Sequence, residues 1–474
     1  MADVAQGFPT KNFFINMLTR DIALNDAILD LLDNCLDGVI RMKGTEGKKT
    51  NDRYYEGFHA KITISKDSFK IEDNCGGIPR SVAEKYAFRM GRETSKTSEG
   101  LPTVGIYGIG MKRAIFKIGK EASVTSRHEE GSFVVKIPED WIDRKDDWNF
   151  PISNITNDTS KEKGTYIVIT NLAGDVAFQW KTEDHLKFFI DTLVMTIKTS
   201  YSLIIEKGFR ISVNEKPVDA LPVQLLVSKE QGEGIRPYLY KRDYGSVSVN
   251  LAVGFYAPPP TPDEIDESAE SKRLSSDAGW TIVCNDRIIL FNDKTHLTGW
   301  GDAGIPQYHT QFIGIRGIVI FESNNPEELP MTTTKRGIDL SSSIYADIKN
   351  KMRDGLKMLT SYTNRWKGRN EQERIYFEKA DSIPYSKLFK DNELKKLDVT
   401  FEFRNKDDGS VYVPDLPKPP NDKDYEIIRF VKPKDEIKTV CGILYDDPLI
   451  NRKPSKVGED CFNSVLKNAD SQTK

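Results

Sequence analysis

Apolar residues recur at helical spacing over 21–40, at Leu24, Ile28, Leu31, Leu32, Cys35 and Val39, which predicts one strongly amphipathic helix. Its polar side carries Asp26, Asp30, Asp33 and Asp37. Alternation over 61–65 and the short run 69–71 predict two strands, the second leading into Asp73-Asn74-Cys75-Gly76-Gly77. Pro79 and Ser81 open a helix to about residue 90, and a Gly-, Ser- and Thr-rich stretch over 91–110 precedes a helix over 111–118. Strands over 122–126, 132–137 and 165–170 and a long helix over 183–203 complete a first domain, 1–205. Strand patterns at 209–213, 247–256, 280–291 and 312–321 then predict a strand-rich second domain over 206–340. Pro258-Pro259-Pro260-Thr261-Pro262 and the acidic stretch to Asp277 interrupt it as a solvent-exposed loop. Helical spacing returns over 344–366, inside a helical segment 341–378. The C-terminal region, 379–474, is polar, with weak strand signals at 400–404 and 427–431 and no assigned role.

Composition narrows the class. A chain of 474 residues is too long for a single core and suits two or three domains. With 38% hydrophobic and 29% charged residues it reads as soluble and globular. The net charge of -3 argues against a uniformly basic nucleic-acid binder and leaves room for a local basic patch. The N-terminus has no signal-peptide pattern, and no apolar run approaches the roughly 18 residues that span a bilayer. A cytoplasmic protein without a membrane partner is expected. The cysteines at 35, 75, 284, 441 and 461 form no C-x-x-C pair, and the histidines are scattered, so neither a disulfide framework nor a zinc site is expected.

Candidate chemistry sits in a few segments. Asp30 and Asn34 share a helix face; an amide oxygen suits Mg, and a nearby carboxylate can polarise a water. The same face is equally that of a solvated amphipathic helix. Asp73 opens a loop with two adjacent glycines, where a carboxylate can accept a bond from an exocyclic amine such as that of adenine; an ordinary turn has the same composition. Gly105-Ile106-Tyr107-Gly108-Ile109-Gly110-Met111-Lys112 places three glycines before a helix start, where freed backbone amides suit a polyphosphate, although such loops also serve as plain connections. It lacks the P-loop ending and fits the dinucleotide fingerprint poorly. Gly164-Thr165 opens a strand, and Lys335, in Thr334-Lys335-Arg336-Gly337, is either a point charge for a phosphate or a solvated loop lysine.

Taken in order, these segments resemble the GHKL superfamily, which includes gyrase B, heat-shock chaperone ATPases, sensor histidine kinases, MutL and MORC proteins. Asp30-Leu31-Leu32-Asp33-Asn34-Cys35-Leu36-Asp37-Gly38 resembles the N-box. Asp73-Asn74-Cys75-Gly76-Gly77-Ile78 resembles the adenine box, the glycine segment 105–110 the lid, and Gly164-Thr165 the fourth motif. Ile282-Val283-Cys284-Asn285-Asp286-Arg287 is similar to the strand turn of the transducer domain in MutL, gyrase and MORC proteins, and Lys335 sits where that domain donates its phosphate sensor. The layout is closest to MutL and MORC proteins, over about residues 10–350.

The resemblance implies an α+β chain: a two-layer α/β sandwich of the Bergerat type, then a strand-rich α/β transducer domain and a small C-terminal region. It implies ATP and Mg2+ as cofactors, with Asp30 and Lys335 as catalytic residues and Asn34 as metal ligand. Asp73, Gly77, Ile78 and Thr165 would hold the base; Gly105, Tyr107, Gly108, Ile109, Gly110, Met111 and Lys112 would wrap the triphosphate. Relatives hydrolyse ATP and pair through their N-terminal segments, so an ATP-gated dimer clamp follows, with DNA or a protein as client, in repair or defence. Asp30 stands where most relatives carry Glu, one methylene longer, which implies slow turnover. Lys349, Lys351, Arg353, Lys357, Arg365, Lys367 and Arg369 supply a local basic stretch for DNA. A nucleotide-sensing scaffold without hydrolysis and a chaperone are the competing readings.

Overall fold

The computed structural model describes residues 9–472 apart from 45, 47, 49–50, 91–107, 145–146, 157–161, 230–231, 261–276, 333, 407–408, 421–427, 429–430 and 446–453. Two helices come first, α1 (Lys11–Arg20) and α2 (Leu24–Lys43). α1 lay outside the expectations; Thr10 caps it by accepting from the Phe13 N–H. α2 ends where Gly44 takes φ 72° and returns its N–H to the Ile40 carbonyl, a conformation that costs a residue with a Cβ.

The first sheet has eight strands: β1 (His59–Ile64), β2 (Phe69–Asp73), β3 (Gly119–His128), β4 (Gly131–Ile137), β5 (Ile152–Asn154), β6 (Gly164–Leu172), β7 (Arg210–Val213) and β8 (Lys216–Pro217). Their order is β5-β4-β3-β6-β2-β1-β7-β8, antiparallel throughout except for β1 beside β7. Between them lie α3 (Arg80–Val82), α4 (Gly110–Ile118), α5 (Gly174–Gln179) and α6 (Glu183–Glu206). The helix expected over 81–90 is only α3, followed by a π-helical turn over Ala83–Ala87. Ile28, Leu32 and Val39 of α2, Ala114 and Ile118 of α4, and Leu193, Ile197 and Ile204 of α6 share one core with Ile62, Ile71, Val124 and Ile169 of the sheet. Helices thus cover one sheet face, the expected two-layer sandwich. α6 is long and apolar enough to cross a membrane by length and composition, contrary to the expectation that no such run exists; its apolar side packs in this core.

A second mixed sheet follows. Its strands are β10 (Tyr238–Tyr244), β11 (Val247–Phe255), β12 (Gly279–Cys284), β13 (Arg287–Asp293), β14 (Ile315–Ser323), β16 (Arg404–Lys406) and β17 (Gly409–Tyr412), while β9 (Gln224–Ser228) pairs with β15 (Ala380–Pro384) separately. The single strand expected over 280–291 is two, β12 and β13. Asn285 and Asp286 turn between them at φ 49° and 70°, the left-handed pair that a tight hairpin needs. α7 (Ser343–Arg365) and α8 (Asn370–Glu378) pack on this sheet through Tyr345, Met352, Leu359, Tyr362 and Phe377.

The C-terminal expectation needs correction. No strand covers 400–403, where β16 begins only at Arg404, and Ile428 and Val431 are in no strand, the residues around them lying outside the described set. Residues 1–419 form one compact unit, including the short α9 (Asp391–Lys396), and 420–474 form another. The second holds α10 (Lys434–Tyr445) and α11 (Pro454–Gln472), joined by a hydrogen bond from the Tyr445 hydroxyl to Asp460. Weak alternation in a polar stretch does not distinguish strand from helix when few large apolar residues mark the period.

Candidate functional site

The acidic face of α2 is not solvated. Asp30, Asp33 and Asp37 are 5%, 1% and 4% exposed, while Asn34, between them in sequence, is exposed. Burial of three carboxylates on one helix is costly unless each finds donors, and the surrounding elements supply them.

Asp30 takes Arg113, three residues into α4: Nε lies 3.1 Å from Oδ2, with Nη2 on the same oxygen. Lys335 Nζ is 3.8 Å from the other oxygen, Oδ1. Burial raises the Asp30 carboxyl above the usual range, and Lys335 and Arg113 oppose it. Asp33 is bonded on both oxygens. Lys335 Nζ donates to Oδ2 at 2.7 Å; Arg287 Nε and the Tyr201 hydroxyl reach Oδ1 at 3.1 and 2.7 Å. Burial pushes Asp33 up, but Lys335 and Arg287 outweigh it and hold the carboxyl below its ordinary value. Lys335 itself is buried at φ 57°; burial disfavours its charge, and Asp33 and Asp30 more than restore it. Lys335 is therefore not a solvated loop lysine.

At the other end of α2, Asp73 closes β2. Its Oδ1 accepts from the Cys75 N–H at 2.8 Å and the Thr165 N–H at 3.3 Å, and the Cys35 thiol lies 3.5 Å from Oδ2. Burial raises its pKa to about 6 against those hydrogen bonds. Gly76 and Gly77 follow at φ 92° and 70°, and a Cβ at Gly77 would stand 2.4 Å from the Arg127 carbonyl of β3. Ile78 donates its N–H to Ser126 Oγ at 2.7 Å, which fixes the loop to β3.

α4 opens at Gly110, after Gly108 at φ 64° and Ile109. A Cβ at Gly110 would lie 3.3 Å from the Asp30 side chain, so the helix start and the acid are in close contact. Met111 packs against the core. Lys112 turns away from Asp30: its ammonium donates to the Ala87 carbonyl at 2.9 Å and to that of Gly108, and burial lowers its pKa to about 8. Gly105 and Tyr107 lie outside the described residues.

One helix thus gathers the described candidates. Asp73 meets α2 through Cys35, and Asp30 meets α4 through Arg113 and Gly110, with Lys335 between Asp30 and Asp33. Sequence reasoning missed Arg113, Cys35, Arg287, Tyr201 and the buried role of Asp33. Arg113 lies within a turn of the glycine segment and was within reach of a pattern argument; Arg287, 254 residues from Asp33, carried no local signal. Asn34 has no hydrogen-bond partner among the described residues, so its amide oxygen is free to ligate a cation, which fits Mg2+. A cavity of about 910 Å³ lies elsewhere, against Lys207, Val249, Asp286, Ile320 and Tyr385, and none of the candidate residues lines it.

Residues 22–165 match the family described as histidine kinase-, DNA gyrase B-, and HSP90-like ATPases. No curated protein matches the chain. The matched span opens just before α2 and closes at Thr165, whose N–H reaches Asp73; it takes in Asp30, Asn34, Asp73 and Gly110 and leaves out Lys335, Arg287 and Tyr201, and over these residues the chain is similar to the GHKL ATP-binding domain.

Proposed function

We propose that the chain is a slow, Mg-dependent ATPase whose ATP-bound form pairs into a dimer clamp. The observation that carries this reading is the arrival of Lys335 at Asp33 and Asp30, 302 residues beyond Asp33 in sequence, which ties the second sheet to the nucleotide helix. In this reading Asn34 holds Mg2+, which would neutralise charge on the phosphates. Asp73 accepts from the adenine amine beside Gly77, Ile78 and Thr165, and the α4 start, from Gly108 through Ile109, Gly110, Met111 and Lys112, receives the triphosphate at a helix N-terminus. Gly105 and Tyr107 would complete that wrap. Asp30 polarises the attacking water, and Lys335 touches the terminal phosphate.

Pairing is supported by α1, where Phe13 and Met17, one turn apart, are 62% and 54% exposed. α1 is also bonded to α4, since Lys117 donates to the Thr19 carbonyl at 3.1 Å, so a change at the phosphate helix has a route to that face. DNA as client has less support: of the basic stretch, Lys349 and Arg353 are both paired with Asp302. Gel retardation at several salt concentrations, with and without a nonhydrolysable ATP analogue, tests it, and the absence of any salt-sensitive complex ends it.

The second reading, a nucleotide sensor without turnover, is favoured by the Arg113–Asp30 pair, which occupies the carboxylate that would act as base. Phosphate release from wild type, Asp30→Ala and Asn34→Ala separates the two. The enzyme reading expects release that falls at least about a hundredfold in Asp30→Ala; equal release in all three, with ATP still bound, supports the sensor.

A further inference from the structure

Asp33 is an acid on α2 to which the proposed function assigns nothing, yet three side chains donate to it. It takes Lys335 on Oδ2 and Arg287 and Tyr201 on Oδ1. Arg287 is itself anchored: its guanidinium stacks 4.3 Å from the Tyr201 ring, and Nη1 donates to the carbonyls of Ser200 at 3.1 Å and Ile288 at 2.9 Å. The two oxygens therefore have unequal partners. Oδ1 is fixed by rigid groups on α6 and β13, whereas Oδ2 holds one flexible ammonium on a loop.

We propose that Asp33 is the positioning residue of Lys335: its Oδ2 gives the ammonium a resting place beside the Asp30–Asn34 face, from which a terminal phosphate must draw it. The inference rests on the reading of Lys335 as phosphate contact. Its physical basis is exchange of one anionic partner for another. A buried ammonium cannot leave a carboxylate without a substitute, and a γ-phosphate oxygen is one. Asp33 is not stranded by the exchange, since Arg287 and Tyr201 remain on Oδ1. ADP offers no such oxygen, so Lys335 stays on Asp33, and the strength of that contact sets the preference for ATP over ADP.

The test is the ratio of ATP to ADP affinity, with Mg2+, for the full chain. Lys335→Ala should lower the ratio. Asp33→Asn keeps an acceptor but removes the charge, so the ratio should rise about tenfold, the weight of one charge-assisted hydrogen bond. In Asp33→Asn/Lys335→Ala the ratio should equal that of Lys335→Ala. The single Tyr201 proton has two acceptors in reach, Asp33 Oδ1 at 2.7 Å and the Leu29 carbonyl at 2.8 Å, of which the carboxylate is the stronger; Tyr201→Phe therefore removes a donor from Oδ1, leaves Asp33 a stronger acceptor for Lys335, and should lower the ratio, and a loss of fold alone would not move the two Asp33-network variants in opposite directions. Should Asp33→Asn not fold, Tyr201→Phe decides. An unchanged or lower ratio in folded Asp33→Asn, or an unchanged or higher one in Tyr201→Phe, overturns the inference. If Lys335→Ala leaves the ratio unchanged, the reading of Lys335 fails first.

Discussion

Asp73 shows at the scale of one residue how a carboxylate is held at a cost to the fold. Its side chain is half-buried, and desolvation raises the carboxyl pKa to about 6 from 3.8. Between those values the folded chain keeps a proton that the unfolded chain has lost, so stability falls as pH rises through the window and levels off above it. The shift of about two units corresponds to about 3 kcal/mol of penalty at neutral pH. Asp73→Asn is therefore expected to raise the melting temperature at pH 7.5, its amide oxygen still accepting from Cys75 and Thr165, and to have no effect or a small loss at pH 4. The same ionisation governs binding in the proposed function, because only the carboxylate accepts cleanly from an adenine amine. ATP affinity should drop about tenfold from pH 7 to pH 5, where roughly a tenth of Asp73 is ionised. Calorimetric titration at both values checks this, and a flat profile removes Asp73 from the base contact.

Among elements, α2 is the one whose placement everything else depends on, and a missing side chain allows it. A Cβ at Gly38 would lie 2.5 Å from the Cys75 carbonyl, and one at Gly164 would lie 1.9 Å from the Asp73 carbonyl. Helix, the loop after Asp73 and β6 close on one another at these two points. Gly38→Ala should push α2 off the loop, destabilise the chain by about 1–3 kcal/mol as overpacking does, and weaken ATP binding further than the stability loss accounts for. Wild-type affinity in a folded Gly38→Ala chain would show that the contact is dispensable. The existence of α2 was plain from its period, because Leu24, Ile28, Leu31, Leu32, Cys35 and Val39 leave no other element to form. The fate of its acidic face was not. Periodicity separates two faces of a helix but says nothing about what covers the polar one, and here the cover comes from Arg113, Arg287 and Lys335. α1 escaped notice because it is ten residues long with a mixed surface, and α11 because a polar helix with few large apolar residues lacks a legible stripe; α10, with Ile437, Val440, Ile443 and Leu444, did carry an apolar pattern that the sequence reading passed over.

At the scale of the molecule, one hairpin turn joins the two sheets. Asn285 and Asp286 supply its left-handed geometry, and the residues on either side of the bend grip different parts of the first layer. Arg287 goes to Asp33, while Asp286, fully buried, accepts from Lys207 at 2.6 Å and from the Tyr55 hydroxyl at 3.0 Å and lies 3.9 Å from Lys48. In the sequence these residues read only as a strand interior with a turn, since the first-layer partners of Asp286 and Arg287 stand at least 79 positions away. Burial depresses the charge of Lys48 and Asp286 opposes this; burial likewise acts against Lys207, which Asp286 outweighs. Asp286→Ala takes the shared carboxylate from both ammonium groups, and breaking a buried pair in this way costs about 3–5 kcal/mol. The deficit should be largest near neutral pH and shrink above pH 9, because a buried lysine that has lost its carboxylate sheds its proton more easily than the unfolded chain does and the penalty is relieved as the pH rises toward 10.5. Because the contact ties one sheet to the other, urea unfolding of Asp286→Ala should also broaden or divide into two steps, with nucleotide protecting only the earlier part of the chain. A loss under about 1 kcal/mol with a single unchanged transition would mean that the layers are held together elsewhere, and Arg287 on Asp33 would be the next contact to remove.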